Sequence, residues 1–226
     1  MSTAKGRSFR VGTITALNPQ VKNRARTSVF IDGEYAFGIL TDLVVQNKLH
    51  VGKELNESEV SVLLQDEGML RAKSKALGYL AYAPRTAYQI RTRLRERGFS
   101  DHEIDHTMGD LEDLGYIDDR KYAMEYATAR FNHKGYGPER IRRELISNGV
   151  SHDDISEAIK ATINPEAFAA RAKSMVERFQ TRVQGTFPER KKKLITYLTR
   201  RGYGYIMASE FVQEVLSQSE SSKNRT

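Results

Sequence analysis

The chain has 226 residues, of which 39% are hydrophobic, 29% are charged and none is cysteine. That composition excludes disulfides and thiolate metal sites, and no apolar run approaches the length of a membrane span. Lysine and arginine outnumber aspartate and glutamate by 36 − 29 = +7, with a pI near 9.5, so the expected partner is anionic, nucleic acid before a membrane surface.

In chain order, residues 1–8 (MSTAKGRS) are small, polar and unpatterned and read as a disordered tail. They lack the apolar core of a signal peptide, so a cytoplasmic location is expected. Residues 9–67 read as a small β-rich module with short helices. "FRVGTITAL" alternates as a strand, and Asp32-Gly33 within "TSVFIDGEYAFGI" is a two-residue hairpin signal. "KNRAR" between them reads as a basic loop. "TDLVVQNKL" reads as a short helix capped by Thr41, and another helix starts at Asn56, with Glu59 three residues on.

From residue 68 the pattern is helical and repeats. Aligning Gly98 with Gly149 pairs Ile90 with Ile141, Arg91 with Arg142, Leu94 with Leu145 and Ser100 with Ser151. "KLITYLTRRGY" places Gly202 in the same column. This spacing predicts stacked three-helix units over 68–115, 116–163 and 164–216, forming an elongated, mainly α array, before a second disordered tail at 217–226. In each unit the second helix ends at the glycine, a residue that tolerates the left-handed conformation of a helix stop. After Gly202 the third copy has no matching serine cap.

His102-Glu103-x-x-His106 fits a zinc-protease pattern. Ser100-x-x-Glu103, however, is also a capping box, with Ser151-x-x-Asp154 as its looser repeat, and both histidines lie opposite Ile104 on the helix. No metal, cofactor or catalytic residue is therefore expected. Asp118-Asp119 and Asp153-Asp154 read as helix starts. Tyr79, Tyr82, Tyr122 and Tyr126 fall at helical spacing and read mainly as core. The second helices carry the charge, so the candidate contacts with an anionic partner are Arg85, Arg91, Arg95, Arg140, Arg142, Arg143, Lys192, Lys193 and Arg200. Because the units repeat, Arg91 and Arg142 are expected on one recurring basic row. The bland alternative is a solvated helix face.

"APRTAYQIRTRLRERGF", "LEDLGYIDDRKYA" and "KGYGPERIRRELISNGV" together resemble the bacterial RecX regulatory family, strongly over residues 70–162 and weakly over 163–216. "VFIDGEYAFGI" resembles the N-terminal extension of a subset of that family. The resemblance implies tandem three-helix repeats and a non-enzymatic monomer that binds the RecA recombinase filament on single-stranded DNA. It implies restraint of the recombinase's ATPase, strand exchange and coprotease activity, in DNA repair and the SOS response. Family motifs match at Arg85, Arg91 and Arg142, which are plausible contacts; Gly98, Gly115, Gly137 and Gly149 match as architecture. Interspersed Glu96, Glu139 and Glu144 suit a protein partner of mixed charge. The alternative is a stand-alone DNA-binding protein with helix-turn-helix-like basic helices.

Overall fold

The structure is a computed structural model that describes residues 10–223. The chain divides into two compact units: residues up to 82 with 91–114, and 83–90 with 115 onward. Among the described residues no helix is long and apolar enough to cross a membrane.

In the first unit, β1 (Gly12–Gln20), β2 (Asn23–Ile31), β3 (Glu34–Leu40) and the short β4 (Glu54–Leu55) form an antiparallel sheet in the order β3-β2-β1-β4. The Asp32-Gly33 hairpin forms with φ of 48° and 83°, the positive pair that a tight two-residue turn requires. The expected KNRAR loop is instead a turn at Val21-Lys22, with Asn23–Arg26 already in β2 and Gln20 paired to Asn23. Ladder pairing overrides the polar composition there. Helix α1 (Thr41–Gln46) packs on the sheet. Thr41 is its first residue rather than its cap, because its hydroxyl is turned to Thr27, 3.0 Å away. Ile14, Val29, Ile31, Phe37, Ile39, Leu43, Leu55 and Val60 form the core of this module.

Asn56 and Glu59 cap the next helix reciprocally, at 2.9 and 3.0 Å. That helix, α2, runs unbroken over Glu57–Tyr82, so the expected boundary between residues 67 and 68 lies inside one helix. No proline interrupts it. Gly68 lies within it, and the Glu103 side chain occupies the space where a Gly68 Cβ would lie. The buried Glu67 carboxylate accepts from the Arg26 guanidinium and, at 2.7 Å, from the Leu40 amide, pinning the sheet to the helix. Helix α4 (Asp101–Asp113) packs along α2 through Ile104, Met108 and Leu111, with a Lys73–Asp110 ion pair of 2.7 Å at the rim. Its start is the capping box: Ser100 accepts from the Glu103 amide, and the Glu103 carboxylate from the Ser100 amide at 2.6 Å. Glu103 is thus occupied by the helix start, and His102 and His106 are exposed.

Helix α3 (Ala87–Glu96) is shared between the two units. The second unit adds α5 (Asp119–Ala129), a π-helical turn (Arg130–Lys134), α6 (Pro138–Ser147), α7 (His152–Thr162), α8 (Pro165–Gln180), α9 (Phe187–Arg200) and α10 (Tyr205–Lys223). The three-helix repeats are therefore the C-terminal part of α2 with α3 and α4, then α5–α7, then α8–α10. The second and third share one continuous core from Ala123 to Leu216. Within it Tyr122 and Tyr126 are half-buried and stacked 5.8 Å apart; in the first unit Tyr82 is exposed, contrary to expectation, at the very end of α2. The tail expected at 217–226 is helical through Lys223, since buried Val212, Val215 and Leu216 anchor α10 just before it. Residues 1–8 and 224–226 of the expected tails lie outside the described residues.

The helix-two turns recur in structure as they do in sequence. Gly98, Gly149 and Gly202 all have φ between 81° and 92°. In the second unit, Thr86, the residue before α3, donates its hydroxyl to the Asn148 carbonyl at 2.6 Å, and Tyr88 packs where a Gly149 Cβ would lie. Likewise Gly137, the residue before α6, donates its amide to the Arg201 carbonyl at 2.8 Å, and Arg140 packs where a Gly202 Cβ would lie. One contact is therefore used twice. The residue that starts helix two of one repeat donates to the carbonyl just before the glycine of the next.

Candidate anion-binding groove

Helix α9 positions the candidate site. Its sequence, FPERKKKLITYLTR, buries Leu194, Ile195 and Leu198. Four-residue spacing then aligns two surface rows, Lys192–Thr196–Arg200 and Lys193–Tyr197–Arg201. Facing them are Arg140 and Tyr136 at the start of α6, His133 and Lys134 of the π-helical turn, and Arg182 after α8. Together they line a groove of about 1070 Å³ within the second unit.

Seven cations line this groove (Lys134, Arg140, Arg182, Lys192, Lys193, Arg200 and Arg201) against one carboxylate, Glu189. That carboxylate is committed to the start of α9, accepting from the Thr186 amide at 2.9 Å and the Thr186 hydroxyl at 3.0 Å. These bonds, the amide's first, hold the Glu189 carboxyl below its usual range, so it remains ionised and turned to the helix. Lys134, Arg182, Lys192 and Arg200 make no ion pair among the described residues.

The aromatic residues share the cations. Arg140 lies 3.7 Å over the Tyr136 ring and Arg201 4.8 Å over Tyr197, which itself stacks on Phe179 at 4.1 Å. Arg140 is further held by Glu144 at 3.0 Å. The π-helical turn inserts one residue into the ladder, which brings His133 and Lys134 to the groove before Gly135 ends the turn at φ 65°. Its last carbonyls are capped by guanidinium groups, Arg171 on Asn132 and Arg201 on Lys134 (2.8 Å). Arg201 is thus both wall and brace. An open groove of this charge, with ring faces held against cations, is suited to an extended polyanion.

Of the expected contacts, Arg140, Lys192, Lys193 and Arg200 converge here. The others do not. Arg91 is paired with Asp105, and Arg142 reaches the Ser156 hydroxyl at 3.3 Å; each ties helix two to a residue 14 positions on, in helix three of its own repeat. Arg95 pairs with Asp101 at 3.0 Å. Arg85 is exposed near Tyr122, whose phenol burial pushes upward while Arg85 opposes the shift. Arg143 is exposed on α6. The sequence reading missed Lys134, Tyr136, Arg182, Tyr197 and Arg201. Tyr197 and Arg201 were reachable from Lys193 by steps of four; Lys134 and Arg182 sit in a π-helical turn and a loop that no periodicity marks.

Three family models match the chain: "Regulatory protein RecX N-terminal domain" over residues 12–56, "RecX, first three-helix domain" over 72–111, and "RecX, second three-helix domain" over 118–159. The chain is similar to the Regulatory protein RecX of Bacillus licheniformis, 28% identical over 89% of this chain and 76% of that protein. It is also similar to that of Clostridium acetobutylicum, 29% identical over 91% and 97%. A crystal structure of regulatory protein RecX superposes with a TM-score of 0.70 at 27% identity, covering 89% of this chain and 98% of that one. The fold is also that of RecX from Lactobacillus salivarius, with a TM-score of 0.61 over 66% of this chain.

Proposed function

Because the chain belongs to the RecX family of regulatory proteins, we propose that it binds the RecA recombinase filament on single-stranded DNA and restrains its ATPase, strand exchange and coprotease activities. The observation that carries this reading is the groove of the second unit, seven cations against one carboxylate that is already committed to a helix cap. Phosphates of a strand lying in the groove would be met by Lys192 and Arg200 on one α9 row and by Lys193 on the other. The carboxylates that hold Arg91, Arg95 and Arg140 leave those residues as structural partners first. The chain acts by binding, in the cytoplasm, without a cofactor.

The test is the pair Lys192→Glu and Arg200→Glu, made together. Each charged hydrogen bond is worth about 1.5–3 kcal/mol, so losing both costs about 3–6 kcal/mol and lowers affinity for RecA–DNA filaments at least about a hundredfold. If both residues meet phosphates, the slope of log K against log salt becomes shallower by about 1.4, or 0.7 per contact on a single strand. Unchanged filament affinity with an unaltered melting temperature overturns the assignment of this groove.

A further inference from the structure

A second basin adjoins the groove. It has a volume of about 340 Å³ and lies between α8 and the π-helical turn, within the second unit. It shares His133, Lys134, Phe179, Arg182, Tyr197 and Arg201 with the groove, so the two meet at one common wall. Beyond that wall it adds Gly135, Arg171, Met175 and Arg178. Five cations line it (Lys134, Arg171, Arg178, Arg182 and Arg201), and no carboxylate does. None of the five makes an ion pair among the described residues.

Neutral groups hold this charge together. Arg171 and Arg201 are braced on the Asn132 and Lys134 carbonyls of the π-helical turn. Arg171 Nε lies 3.5 Å, and Arg201 Nη1 4.0 Å, from the point where a Gly135 Cβ would be, with Met175 Sδ at 2.8 Å. Glycine at φ 65° thus lets two guanidinium groups converge on one spot. The carbonyls fix these groups without cancelling their charge, so an anion in the basin relieves their repulsion. Arg178 and Arg182 are exposed at its mouth. Arg178 turns its Nε to the Ser174 carbonyl at 3.2 Å, and its terminal nitrogens have no partner among the described residues; the Arg182 guanidinium has none at all among them.

We propose that the polyanion track does not end in the groove. A single strand bound along α9 crosses the wall at Tyr197 and Arg201 and sets further phosphates in this basin, against Arg178 and Arg182. The proposal rests on the reading of the groove as a polyanion site and extends it by two contacts. Guanidinium forks match phosphate oxygens, and the basin offers them without a competing carboxylate. The occupant is a strand rather than a free phosphate because the shared wall carries cations to both sides, so successive phosphates of one chain are met in turn.

Fluorescence anisotropy with thymidine oligonucleotides of about 4 to about 16 nucleotides, on the full chain without recombinase, tests it. Wild-type affinity rises with length and then levels off. Arg178→Ala with Arg182→Ala levels off at a shorter length, and its deficit widens with length to at least about a hundredfold. With the longest oligonucleotide its slope of log K against log salt is shallower by about 1.4, or 0.7 per lost contact. Both side chains are exposed and hold no other element, so the melting temperature is unaltered. Lys192→Glu with Arg200→Glu loses affinity at every length. If that second variant is impaired while the first matches wild type in length dependence and salt slope, the extension is overturned and the groove stands. A deficit of the first variant that is equal at every length also overturns it. If both variants bind like wild type, the groove reading falls and the extension with it.

Discussion

Tyr203 offers a prediction with a sign at two pH values. Its ring is fully buried and stacked on Phe168 at 4.7 Å, while its hydroxyl has no hydrogen-bond partner among the described residues. An unpaired buried hydroxyl costs roughly 1–3 kcal/mol relative to its hydration in the unfolded chain. Tyr203→Phe keeps the ring and removes only the oxygen, so it stabilises the second unit by about 1 kcal/mol at pH 8. Burial also pushes the phenol up to about 12. A folded pKa above the unfolded value of about 10 means that stability is full below pH 10 and declines as pH rises toward 12, because the unfolded chain loses the proton first. By pH 11 this amounts to about 1.4 kcal/mol, one pKa unit of linkage. Phenylalanine cannot titrate, so the advantage of the variant grows from about 1 to about 2.4 kcal/mol between pH 8 and pH 11. Urea unfolding of both proteins at the two pH values, followed by circular dichroism, measures it. A variant no more stable at pH 8, or an advantage that does not widen by pH 11, refutes the reasoning.

Alanine at the three turn glycines separates conformation from contact: Gly98→Ala carries only the left-handed strain of about 1–2 kcal/mol. Gly149→Ala and Gly202→Ala add a clash with Tyr88 or with the Arg140 backbone and cost at least about 3 kcal/mol; equal losses in a thermal-melt series contradict the repeated contact. Arg26→Met leaves the buried Glu67 carboxylate with the Leu40 amide alone and destabilises the first unit by about 2–3 kcal/mol, and adding Glu67→Leu recovers much of that. Chemical denaturation of the single and double variants checks this, and a double variant no better than Arg26→Met counts against it.

Much of the fold was legible because local chemistry agreed with the final structure. The Asp32-Gly33 turn, the Ser100 and Ser151 helix starts and the glycine stops each required one residue type for a reason visible within four positions. What was not legible depended on distant partners. Helix α2 runs through the expected boundary at residue 68, where Glu103, thirty-five residues away, occupies the space beside Gly68. Arg91 and Arg142 were correctly read as equivalent, but a helical wheel places a side chain beside a stripe without saying that Asp105 or Ser156 waits there. The groove combines α9 with a π-helical turn and a loop, and only the α9 part carries a sequence period.

The divergence of the third repeat, which weakened the resemblance in sequence, is what leaves its cations available. In the first repeat, α4 opens with Asp101 and Glu103, and the arginines of α3 find carboxylates at Asp101 and Asp105. In the second, α7 opens with Asp153 and Asp154, and Arg142 is turned to Ser156 on that helix. The helix in the same place in the third repeat, α10, opens with Tyr205-Ile206-Met207-Ala208 and has no acidic residue in its first turn. No cation of α9 therefore has a carboxylate to pair with among the described residues; Lys191 reaches only the neutral Gln213 at 2.7 Å, and Lys193 only the Gln184 carbonyl at 2.9 Å. Neutral acceptors hold an ammonium in place without cancelling its charge, so the field of the α9 rows stays open to solvent. Losing the acidic cap costs α10 a fraction of its stability, about 1 kcal/mol for a missing side-chain cap, and buried Tyr203, Phe211 and Val212 offset it through the shared core. The repeat that departs from the pattern thus keeps the architecture of the other two while lacking, for the cations of its second helix, the carboxylates that hold Arg91, Arg95 and Arg140.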